Sequence, residues 1–69
     1  MKLRDLGLPR SEIERIANEY IWNPRNKTIL YMKMEGNTYE EIAEILCLST
    51  QYVKKIFIAS QNIIIEHAK

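Results

Sequence analysis

The sequence predicts an all-α fold of four helices, and three observations carry that prediction. Apolar residues recur at the i, i+3, i+4, i+7 spacing of a helical face, and no stretch alternates as a strand would. Local start and stop signals divide the chain: Ser11 with Glu14, Thr38 with Glu41, the Asn23-Pro24 pair and Gly36. Only 2 glycines and 2 prolines occur in 69 residues, which suits helices joined by short turns. That length makes one domain, near the lower limit for folding on its own core, and a hydrophobic content of 46% excludes a disordered chain. A core of this size supplies only ~3–5 kcal/mol, so support from a second subunit is an expectation from the outset.

Residues 1–10 (MKLRDLGLPR) have no helical period and are broken by Gly7 and Pro9, so they read as an arm. Its leucines, Leu3, Leu6 and Leu8, are expected to strap onto the body; the alternative is a basic arm of Lys2, Arg4 and Arg10. The remaining chain, 11–69, is the helical domain. Ser11 and Glu14 make an S-x-x-E capping box, in which each side chain satisfies the other's free backbone N–H. Ile13, Ile16, Ala17, Tyr20 and Ile21 then form one apolar stripe. Pro24 ends that helix, because it drives the preceding residue out of the helical region. Asn23 and Pro24 serve as cap and first residue of a second helix, about Pro24 to Glu35. Its apolar residues are Ile29, Leu30, Met32 and Met34, and its basic ones are Arg25, Lys27 and Lys33, for which a solvated face and phosphate contact weigh evenly. Gly36 stops it by taking the left-handed conformation.

Thr38 and Glu41 open a third helix, about 38–46, with Ile42, Ala43, Ile45 and Leu46 inward and Glu40, Glu41 and Glu44 toward water. Cys47, Leu48 and Ser49 make a turn, and Ser49 caps a fourth helix. Val53, Ile56, Phe57, Ser60 and Ile64 form its inner stripe, while Gln51, Lys54, Lys55, Ile58, Asn62 and Ile65 gather opposite. The working part of this helix is expected at about 50–60, with 61–69 as an extension. Ile63, Ile64 and Ile65 are consecutive, and the expectation is that they cannot all face one small core.

The net charge of +1 selects no partner, but its distribution is uneven. Residues 1–34 carry seven Lys/Arg against four Asp/Glu, residues 35–48 carry four glutamates and no base, and residues 49–69 carry three lysines against one glutamate. Basic segments therefore flank an acidic helix.

The stretch from Pro24 to Ser60 resembles the helix-turn-helix of the fourth region of sigma factors and of LuxR-type regulators. The residues that carry the likeness are Glu35-Gly36, Thr38, Glu41-Ile42-Ala43, Leu46, Leu48-Ser49 and Val53-Lys54. Cys47 stands where the family pattern has a turn glycine, and Tyr52 where it has a threonine. The resemblance implies a four-helix helix-turn-helix DNA-binding module, with the helix at 50–60 entering the major groove of double-stranded DNA. Under that reading Gln51 pairs with adenine, Lys54 or Lys55 donates to guanine, and Thr50 and Tyr52 contact phosphate or a base edge. Thr38, Tyr39 and Ser49 lie at helix N-termini, where free N–H groups favour phosphates. The expected function is that of a stand-alone transcription regulator of bacterial, plasmid or phage type, with RNA polymerase or another regulator as a protein partner. LuxR-type modules pair through their last helix, so a homodimer is expected through Ile65, with Ile58 or Tyr52 beside it.

Two other uses of the same module are weighed: contact with a protein, and DNA packaging as in small terminase subunits. An enzyme is not expected. His67 has no second ligand at metal spacing, Cys47 has no basic neighbour in sequence, and no cofactor motif occurs. No apolar run reaches the ~20 residues of a membrane span and no signal-peptide core is evident, so the expected location is cytoplasmic.

Overall fold

The computed structural model describes residues 7–68. The expected arm contacts of Lys2, Leu3, Arg4 and Leu6, and Lys69 at the far end, lie outside the described residues. Within them the chain forms four α-helices and no strand: α1 (Arg10–Tyr20), α2 (Pro24–Met34), α3 (Tyr39–Leu46) and α4 (Thr50–His67). None of them is long and apolar enough to cross a membrane.

Local chemistry sets most of the boundaries. The Asn23 side chain accepts the Arg25 N–H at 2.9 Å, and Pro24 occupies the first helical position of α2. Gly36, at φ +100°, ends that helix; its N–H donates to the Lys33 carbonyl while Asn37 N–H reaches back to Met32. Both halves of the Thr38–Glu41 capping box are formed, at 3.1 and 2.8 Å. Ser49 caps α4 through Tyr52 N–H at 3.1 Å.

The first helix departs from expectation. It begins at Arg10 with Pro9 before it and no side-chain cap, so Ser11 sits inside the first turn. Glu14 is drawn to Arg10 at 3.5 Å instead of bonding back to Ser11, and the free N–H groups of Glu12 and Ile13 turn to the Pro9 carbonyl.

Helix α4 is the spine on which the other three helices pack. Its C-terminal half contributes Ile64 to a cluster with Ile13, Ile16, Ala17 and Ile21 of the α1 segment and Leu30 of α2. Its N-terminal half contributes Val53 to a second cluster with Ile29, Ile42 and Ala43. The neighbours Ile29 and Leu30 go to different clusters, so α2 straddles both, and Phe57 touches both.

Three assignments are corrected by this packing. Ile45 is 62% exposed, because the eight-residue α3 turns only its Ile42–Ala43 side toward α2 and α4. Tyr20 is 46% exposed and stacks on His67, with ring centroids 3.7 Å apart. Ile63, Ile64 and Ile65, expected not to share one small core, do share it: Ile63 and Ile65 both pack partly on the cluster around the buried Ile64. The segment 61–67 therefore continues α4 without a break and closes the α1 side of the fold.

Candidate nucleic-acid interface

The turn between α3 and α4 aims the start of α4 outward. Cys47 takes the left-handed conformation (φ 57°, ψ 44°), Leu48 N–H bonds to the Ala43 carbonyl at 2.9 Å, and Cys47 N–H reaches Glu44. Leu48 then folds onto the cluster that holds Ile42 and Ala43. Two apolar clusters and a tight turn thus fix the direction in which α4 leaves.

With Val53, Ser60 and Ile64 buried, the opposite face of α4 is open to solvent. Gln51, Lys55, Ile58 and Asn62 are all exposed and follow each other at i, i+4, i+7 and i+11, with Lys54 on the shoulder. That stripe is about 16 Å long at the helical rise. It offers two amides that both donate and accept, Gln51 and Asn62, two ammonium groups and one apolar side chain, Ile58, at 41% exposure. Ile65, assigned to a dimer contact from the sequence, is half-buried against the chain's own core.

The residues at the two helix starts are more engaged than their sequence positions suggest. Thr38 and Ser49 are exposed, and each hydroxyl oxygen accepts a backbone N–H; its own O–H remains a donor. Thr50 is exposed beside them. Tyr39 is half-buried, with its ring tilted against Phe57 at 6.0 Å and the Lys33 ammonium 4.5 Å above its centre. Tyr52 is half-buried too, and its hydroxyl accepts from Arg25 Nη2 at 2.7 Å, with the guanidinium 5.3 Å from the ring centre.

These last pairs are the part of the site that sequence reading missed. Arg25 and Lys33 are both on α2, about 12 Å apart along its axis. Each is stacked on a tyrosine from the first turn of another helix: Arg25 at α4, Lys33 at α3. A cation over an aromatic face is held by the ring's quadrupole, worth ~0.5–1 kcal/mol when exposed. Four cations, Arg25, Lys33, Lys54 and Lys55, therefore border the N-termini of α3 and α4, where unpaired backbone N–H groups add partial positive charge. Among the described residues neither Arg25 nor Lys33 has a carboxylate within ion-pair distance; the ion pairs there join Arg10 to Glu14 and Glu35, and Arg15 to Glu12 and Glu19.

Acid enters this frame at one place: Glu40 and Glu41 stand in the first turn of α3, and the Glu41 carboxylate accepts the Thr38 N–H at 2.8 Å. Glu40, Glu41 and Glu44 are exposed on α3, as is Ile45. Among the described residues no group of three His, Cys, Asp or Glu side chains converges in the way a metal ion requires. No family model, characterised protein or solved structure matches the chain.

Proposed function

We propose that the chain is a sequence-specific DNA-binding regulator of the helix-turn-helix type, with α3 as scaffold and the first turns of α4 in the major groove. The carrying observation is the joining of two unlike surfaces: the exposed Gln51–Lys55 stripe, and the tyrosine-mounted cations Arg25 and Lys33 beside it. The stripe suits base edges, since a Gln amide matches adenine N6/N7 and an ammonium matches guanine O6/N7. The mounted cations suit phosphates, which position a protein without reading sequence. A groove about 12 Å wide admits one α-helix, which fits α4 entering end-on with α2 and α3 against the backbone. A homodimer doubles these contacts. With Ile65 turned inward, the exposed Ile58 is the apolar centre available for it on α4.

Salt dependence tests the reading. Contact by three or four cations makes log K fall with log salt at a slope of about −3, followed by anisotropy of a labelled duplex. Arg25→Ala and Lys55→Ala each reduce the slope by about 1. A flat salt response removes DNA from the proposal.

One observation favours a second reading, contact with a protein such as RNA polymerase or another regulator. Ile45, at 62% exposure, shares α3 with three exposed glutamates, Glu40, Glu41 and Glu44. An apolar anchor beside acid suits a basic partner.

A further inference from the structure

Trp22 is 83% exposed, far more than any other large apolar side chain among the described residues. It lies on the link between α1 and α2, and its indole Nε1–H donates to the Glu19 carbonyl at 2.8 Å. The ring's single donor is thus spent inside the chain, and what faces solvent is an apolar plate with no hydrogen bond left to make. The plate is held firmly. Ile21 before it is buried at 4% exposure, Asn23 after it closes a 2.9 Å cap onto Arg25 N–H, and Pro24 fixes its own φ.

Arg25 follows three residues later, with its guanidinium fixed on Tyr52. The two α-carbons are separated by at most about 11 Å of extended chain. That is about the axial length of three phosphate-to-phosphate steps along one strand of a duplex, at ~3.4 Å each. The segment from Tyr20 to Met34 holds Arg25, Lys27 and Lys33 and not one carboxylate. A surface that is apolar at one point and cationic beside it complements deoxyribose next to phosphate. It is continuous with the cations already assigned to the DNA backbone.

We infer that Trp22 is a second anchor on duplex DNA, its indole lying against the sugar edge of the strand whose phosphate Arg25 holds. The inference rests on the DNA-binding reading above. The contact carries no charge and reads no base, so it lends affinity to every sequence alike. Losing the buried face of a large aromatic weakens binding about fivefold. Trp22→Ala therefore lowers affinity for all duplexes while leaving the salt slope unchanged, whereas Arg25→Ala lowers both.

The chain contains 1 tryptophan, so its emission reports this contact alone. Full-length protein is titrated with random-sequence duplex while binding is followed independently by the anisotropy of an end label. The expected result is a blue shift of emission and protection from acrylamide quenching over the range in which anisotropy rises. Trp22→Ala is expected to bind about fivefold more weakly at nearly unchanged helicity, because a side chain 83% exposed buries little within the chain. Rising anisotropy with unaltered tryptophan emission overturns the inference and leaves the DNA reading standing. An absence of binding removes both. A shift that follows protein concentration without DNA assigns Trp22 to contact between two copies, and also overturns the inference.

Discussion

Replacing Cys47 by glycine tests the turn that aims α4. Cys47 sits at φ 57°, where the Cβ of an L-residue crowds the following carbonyl at a cost of about 1–2 kcal/mol. Glycine removes that crowding but widens the unfolded ensemble, which returns about 0.5–1 kcal/mol of the gain. The thiol is exposed, so little packing is lost with it. The backbone bonds of the turn, Leu48 N–H to Ala43 and Cys47 N–H to Glu44, need no side chain. The net expectation for Cys47→Gly is a stabilisation of about 0.5 kcal/mol. At 4–8 °C per kcal/mol for a domain this small, Tm rises by about 2–4 °C. Cys47→Ala separates backbone from side chain: it keeps a Cβ, keeps the strain, and melts near the wild type. Cys47→Val, β-branched in the left-handed region, melts lower. Thermal unfolding followed by circular dichroism at 222 nm reads all three. A glycine variant that melts below both the wild type and the alanine variant refutes the strained turn.

Two more substitutions probe the packing. Ile42 is fully buried, and Ile42→Ala costs about 2–5 kcal/mol, comparable to the whole stability of a domain this size. It is therefore expected to be largely unfolded at room temperature, while Ile45→Ala, three residues along the same helix, stays within about 0.5 kcal/mol of wild type in urea. Tyr31 supplies a pH test. Burial, and then the nearby Glu14 carboxylate, push its phenol above the ordinary tyrosine range, with Arg10 acting in the opposite direction. The folded chain thus holds this proton to higher pH than the unfolded chain. The stability it contributes is complete below about pH 10 and is lost as pH climbs through the folded value. Tyr31→Phe is expected to lose less stability than the wild type between about pH 9 and 11 in urea midpoints; equal losses contradict the assignment.

Signals that act within one or two turns were legible in the sequence. The Thr38–Glu41 box, the Asn23–Pro24 start, the stop at Gly36 and the Ser49 cap each depend on residues no more than three apart, and each forms. The Ser11–Glu14 box failed because Arg10 competes for the same carboxylate at 3.5 Å, a contest that a pattern of four letters leaves out. Ile45 was misplaced because eight residues give barely two turns, too few to locate the edges of a buried stripe. The isoleucine run was misjudged because α1 folds back along α4 and accepts Ile63 and Ile65 from either side of Ile64. The Arg25–Tyr52 pair spans 27 residues, and only tertiary packing brings it together. The exposed stripe of α4 was legible from its period, whereas the cations that frame it were visible as residues and not as a frame.

Whether α4 reads bases is decided by selecting bound sequences from a pool of random duplex DNA, with the wild type beside Gln51→Ala and Lys54→Ala. The wild type is expected to enrich a defined site. Gln51→Ala relaxes preference at one position of it, by about 1–3 kcal/mol, while preference elsewhere persists. Failure of the wild type to enrich any sequence, with Lys54→Ala indistinguishable from it, contradicts the assignment of α4 as a reading helix.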